Sequence, residues 1–236
     1  MREADGDGWH TATENELEAM IDFMLAPAAE GECAALHVIF LVDGSGSVSS
    51  DDFAVSKAFV ARAAQRLYDT ASKVPGCEVK MGLVQFANEC RVELGLDEAQ
   101  GVDEAVEHID GNMERMSGGT SFLAPLLQAQ EMLNEQASPG GNVKRVVAML
   151  TDGCIDTYSL SEAVSRAEHL ADSLGGVSMY MCGIGRGVNV HAMHRMLIAG
   201  ESEKLSDPSS SAATKERAGK LTGGRYLGLR TLEAAY

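Results

Sequence analysis

Residues His37-Val38-Ile39-Phe40-Leu41-Val42-Asp43 make an apolar, branched run that ends on a carboxylate. A strand with one wet face alternates apolar and polar side chains. A run without that alternation is buried on both faces, the position of a central strand in a parallel sheet covered by helices. Segments 79–86, 143–150 and 177–184 repeat the strand character, and helical periodicity fills the intervals. A helix over about 50–72 turns Phe53, Phe59, Val60, Ala63 and Leu67 inward. Another over about 122–137 carries Leu123, Leu126, Leu127 and Leu133. A third, capped by Ser159 and Glu162, carries Ala163, Val164, Ala167, Leu170 and Leu174. Strands alternating with helices predict an α/β protein built on a doubly wound, mostly parallel sheet with helices on both faces.

Smaller elements complete the order. Asn88-Glu89 reads as a tight turn into an antiparallel edge strand at 90–94. Segments 101–109 and 189–198 read as short helices, 226–229 as a last strand and 231–236 as the start of a final helix. Segment 200–213 is polar and serine-rich and reads as a mobile insertion. Residues 1–34 read as an N-terminal extension with one amphipathic helix, leaving 35–236 as the main domain. In that extension Thr13 and Glu16 form a capping box, and Pro27 and Gly31 end the helix. Its stripe, Leu17, Met20, Ile21, Met24 and Leu25, is expected to pack on the chain's own domain.

A chain of 236 residues buries a full core without staples. Its 35 acids against 19 bases give a formal charge of −16, a field that repels nucleic acid and anionic lipid. No segment is long and apolar enough to span a bilayer, so neither nucleic-acid binding nor membrane insertion is expected. The acidic N-terminus does not read as a secretory leader. The five cysteines, Cys33, Cys77, Cys90, Cys154 and Cys182, leave at least one thiol unpaired. Read as mostly reduced thiols, with Cys182 buried in a strand, they favour an intracellular home; disulfide pairing is the alternative, and an extracellular home goes with the chain being a fragment.

Three glycine-rich segments carry hard oxygen donors: Asp43-Gly44-Ser45-Gly46-Ser47, Gly118-Gly119-Thr120 and Thr151-Asp152-Gly153. Two of them directly follow buried-strand runs, where an open parallel sheet presents loops to a ligand. Ser45 and Ser47 stand two apart on an extended loop, so their hydroxyls share a side. Asp43 adds charge directly or through a water, and Thr120 and Asp152 add oxygens from two further loops. About five oxygens completed by water suit magnesium, with manganese or calcium as alternatives. Singly, each segment is also an ordinary surface turn.

Together, Asp43, Ser45, Ser47, Thr120 and Asp152 resemble the metal-ion-dependent adhesion site of von Willebrand factor type A domains, an Asp-x-Ser-x-Ser loop with a distant Thr and a distant Asp. The match runs from about residue 36 to 232, and Gly183-Ile184-Gly185-Arg186-Gly187-Val188 resembles the family's loop after its fifth strand. The resemblance implies a Rossmann-like sheet. It implies an ion ligated by Ser45, Ser47 and Thr120, with Asp43 and Asp152 acting directly or through water. It also implies a protein partner whose acidic side chain fills the remaining position.

Other features take plainer readings. Cys154 places a thiol near the rim and reads as a passive small residue. Cys33 has no cysteine near the C-terminus to match the disulfide that ties the ends of some relatives. Asp51 and Asp52 read as acids complementing a helix dipole rather than as ligands of a second ion. The Gly183-x-Gly185-x-Gly187 run lacks the Lys-Ser/Thr of a P-loop, so no nucleotide is expected. His191 and His194 read as exposed helix residues, and the methionines as core filler, with a docking surface around Met113 and Met116 as the minor alternative. The leading expectation is a non-enzymatic, magnesium-dependent protein-binding or adhesion domain. The alternatives are an intracellular assembly module, as in chelatase-associated relatives, and a metal-dependent hydrolase. The hydrolase needs a general base, and no histidine is evidently paired with Ser45.

Overall fold

A computed structural model describes residues 21–22, 24, 34–73, 76, 78–97, 101–136, 142–172, 176–185, 188–197 and 227–229. Six strands run through them: β1 (Ala35–Asp43), β2 (Glu78–Phe86), β3 (Cys90–Leu94), β4 (Val143–Thr151), β5 (Ser178–Ile184) and β6 (Leu227–Leu229). They form one sheet in the order β3-β2-β1-β4-β5-β6. Every neighbouring pair is parallel except β2 with β3, which is antiparallel at the edge. The sheet is the expected doubly wound, Rossmann-like one, with its expected antiparallel edge strand.

All nine residues of β1 are buried, because helices cover both faces of the strand. On one face Leu36, Val38, Phe40 and Val42 pack with Phe53, Phe59, Val60, Ala63 and Leu67 of helix α1 (Ser50–Lys73). Phe40 and Phe59 meet edge to face, their centroids 6.4 Å apart. Ile21 and Met24 join this cluster, so at those two positions the N-terminal stripe does cover its own domain. Helix α2 (Val102–Glu107) lies on the same side and runs into a π-helical turn at His108–Asn112. The sequence pattern reads one continuous helix here. Met113 N–H reaches back to the His108 carbonyl, and Lys57 Nζ donates to the carbonyls of Asp110 and Met113, so tertiary contacts shape the turn.

The opposite face, with Ile39 and Leu41, is covered by α3 (Leu123–Glu135), α4 (Thr157–Asp172) and α5 (Val190–Leu197). Two helix details differ from the sequence expectation. Leu127 is 44% exposed, because α3 buries Leu126, Ala129 and Leu133 and position 127 lies about 100° further round. Ser159 does not cap α4: Asp156 Oδ1 accepts the N–H groups of Tyr158 and Ser159, both at 3.0 Å. Met113 is also core rather than docking surface, at 3% exposure.

The capping box Thr13/Glu16, the helix end at Pro27 and Gly31, segment 200–213, the last helix at 231–236, Cys33, Cys77, Arg186 and Gly187 lie outside the described residues, as does the His194 side chain. Among the described residues no helix is long and apolar enough to cross a membrane. From β1 the chain moves first to β2 on one side, and later to β4 on the other. The connections therefore diverge between β1 and β4, and a crevice opens at the carboxyl ends of those strands.

Candidate metal centre

Asp43 closes β1 at that crevice and is fully buried. Its two carboxylate oxygens are held by different loops. Oδ1 accepts the Ser45 N–H at 2.9 Å, and Oδ2 accepts the Thr151 hydroxyl at 2.5 Å. Thr151 Oγ1 in turn accepts the Gly153 N–H at 2.9 Å. Burial pushes the Asp43 carboxyl above its ordinary range. The bonds from Ser45 and Thr151 oppose that rise, and the nearby charge of Asp152 adds to it. The Asp152 charge thus opposes ionisation of Asp43, though less than burial does.

The serine loop follows. Ser45 is buried and Ser47 exposed, and their Oγ atoms stand 3.0 Å apart. Helix α1 begins just after, with Ser49 and Asp52 capping each other: Ser49 Oγ donates to Asp52 Oδ2 at 2.6 Å and receives the Asp52 N–H at 3.1 Å. Asp52 thus serves the helix N-terminus, as its sequence position predicts.

The second loop is stitched to the first through its backbone. Gly46 N–H donates to the Gly118 carbonyl and Ser117 N–H to the Gly44 carbonyl, each at 2.7 Å. A Cβ on Gly46 would stand 3.0 Å from the Gly118 oxygen, so a side chain there would press the two loops apart. Beyond Thr120, Ser121 N–H donates to the Ala87 carbonyl at 2.8 Å, and Phe122 meets Phe86 edge to face at 5.9 Å. Half-buried Thr120 is therefore anchored on both sides.

Asp152 belongs to the third loop. Its Oδ1 accepts the Cys154 N–H at 2.8 Å, and its carbonyl accepts the Asn189 N–H at 2.7 Å. Gly153 sits at φ +72, where a side chain is strained. The five residues singled out from the sequence thus sit at the end of β1, for Asp43, or on loops tied to it or to one another at that end of the sheet.

Sequence reasoning passed over three residues that hold this arrangement. Thr151 orients Asp43. Arg115 donates to the carbonyls of Ser45 and Val48, each at 2.9 Å. Gln85, buried at the end of β2, bonds the segment that leads to Thr120. Thr151 stood in the motif without a role. A single Arg or Gln carries no spacing that marks it, because the bonds by which it holds these loops go to backbone atoms distant in the chain.

The family model described as von Willebrand factor type A domain matches residues 37–218. This chain belongs to that family. Over 161 residues the type A domain is 31% identical to von Willebrand factor A domain-containing protein 1 of Danio rerio, covering 66% of this chain and 29% of that protein. It is 28% identical to Matrilin-1 of Homo sapiens over 161 residues, covering 67% of this chain and 30% of the relative. The chain thus spans less than a third of either relative's length. A solved structure of the conserved hypothetical protein BatB from Bacteroides thetaiotaomicron shares the fold, with a TM-score of 0.55 at 15% identity, covering 80% of this chain and 98% of that one.

The donor chemistry of the type A domain fits a small hard cation. The two serine hydroxyls are hydrogen-bonded to each other at 3.0 Å, so both lie within reach of one small ion whose ligands stand at about 2.1 Å. Among the described residues no three His, Cys, Asp or Glu side chains gather as a metal group. The candidate set is of another kind: three hydroxyls and two carboxylates, all oxygen.

Proposed function

We propose that this type A domain binds a protein partner through a divalent cation, magnesium first, with manganese or calcium as substitutes. Ser45, Ser47 and Thr120 supply neutral oxygens, and Asp43 and Asp152 act directly or through water. An Asp or Glu of the partner supplies the remaining oxygen. When bound, the cation contributes a concentrated positive charge that favours one further anionic ligand. The chain's own residues supply the preparation. Thr151 and the Ser45 N–H fix the Asp43 carboxylate, and the Gly46–Gly118 contact fixes the two hydroxyl-bearing loops against each other. The observation that carries the reading is the pair of serine hydroxyls 3.0 Å apart beside a fully buried, doubly bonded carboxylate.

The reading describes binding without a chemical step. Ser45 Oγ engages Ser47 Oγ rather than a histidine base. The test begins with the metal alone, by titrating manganese into the chelator-stripped chain and following free Mn²⁺ by electron paramagnetic resonance. Saturable one-to-one uptake, displaced by magnesium and weakened by Ser47→Ala, is expected. Absence of saturable uptake refutes the reading. Peptides bearing a single Asp or Glu, captured in magnesium and released by chelator, then test the partner chemistry.

A further inference from the structure

Gln85 is a fully buried amide one residue before the end of β2, a place where an apolar side chain would satisfy the core. Its groups are spent on loop geometry. Oε1 accepts the Met116 N–H at 2.6 Å, and Nε2 donates to the Glu114 carbonyl and to Glu93 Oε1, both at 2.9 Å. The gripped segment leads through Ser117, at φ +67, and Gly118 into Thr120. On its other side the amide lies against the serine loop: a Cβ on Gly44 would stand 2.2 Å from Gln85 Oε1. One side chain therefore touches the loop of Ser45 and Ser47 and also holds the approach to Thr120.

We propose that Gln85 is a positioning residue, setting the separation of the two hydroxyl-bearing loops and thereby the affinity for the divalent cation, which it does not touch. The inference rests on the metal-binding reading above. Its physical ground is that magnesium demands near-ideal octahedral geometry, so a small change in donor spacing is felt in affinity. A buried amide is also held firmly, because any unmade bond leaves a desolvated polar group. Gly44 belongs to the same device, since any side chain there would displace the amide.

The test uses the whole chain and manganese as probe, with three variants. Gln85→Met removes both amide groups at similar volume. Gln85→Glu keeps an oxygen for the Met116 N–H and loses the donor. Leu67→Ala loosens the core at the far half of α1, about 26 Å along the helix from its start, and controls for lost stability. Wild type and Leu67→Ala are expected to bind manganese alike, Gln85→Met at least tenfold more weakly and Gln85→Glu in between. Equal affinity of Gln85→Met and wild type overturns the proposal, as does an equal loss in Leu67→Ala. If Gln85→Met does not fold, wild-type affinity in Gln85→Glu overturns it. A wild type that takes up no manganese overturns the metal reading and this inference together, which separates that failure from the first.

Discussion

Replacing Thr151 with valine removes one oxygen from the middle of the site and leaves its shape almost unchanged. Two bonds go with it. One is the hydroxyl's bond to the Asp43 carboxylate at 2.5 Å, a charge-assisted bond in a fully buried place. Such bonds contribute about 1.5–3 kcal/mol. The other is the Gly153 N–H to Thr151 Oγ1, and an orphaned buried donor costs about 1–3 kcal/mol. The new methyl group returns little, since it faces a carboxylate. Thr151→Val is therefore expected to lose roughly 3–5 kcal/mol, a large part of a typical domain's stability. With a urea slope of about 3 kcal/mol/M, the midpoint falls by ~1 M or more. The assay is equilibrium urea unfolding in chelator, followed by circular dichroism. Thr151→Ser keeps the hydroxyl and is expected to lose about 1 kcal/mol for one buried methyl. A loss below 1 kcal/mol in Thr151→Val, or equal losses in Val and Ser, would refute the reasoning.

Other expectations follow from single contacts. Gly46→Ala is expected to weaken manganese binding more than stability, because its Cβ meets the Gly118 carbonyl and parts the two loops; titration beside thermal unfolding checks this. His37 is buried between Lys80 and Arg145, its partners in register on β2 and β4. Burial first, then those two cations, lower its pKa below the ordinary 6.5. The unfolded chain thus takes up a proton before the folded one does. Stability is full above 6.5 and declines as pH falls from there toward the lower folded value. Urea midpoints at pH 7.5 and 5.5 should show the drop, and His37→Leu should shrink it. Among the thiols, exposed Cys154 is expected to react with a maleimide in the native state. Cys182, buried with its thiol pushed up to about 12, should react only on unfolding, as peptide mapping by mass spectrometry will show.

The chain's own order of residues determined the architecture and the five candidate ligands. Continuous apolar runs such as 37–42 have one stable home, a strand covered on both faces, and helical stripes such as Phe53, Phe59, Val60, Ala63 and Leu67 supply the cover. Asp43, Ser45 and Ser47 are legible because local spacing alone puts them on one short loop. Tertiary structure decided the rest, wherever the physics lies between segments distant in the chain. Thr151 reaches Asp43 across 108 positions, and Arg115 reaches Ser45 across 70. Gln85 is an unremarked amide until β2 sets it beside Gly44 and under Met116. The π-helical turn at 108–112 has the same origin, because Lys57 grips it from another helix. Periodicity reports which face of an element is buried. A hydrogen bond between distant loops leaves no periodic trace, so the bonds that hold this site together emerge only once the sheet is formed.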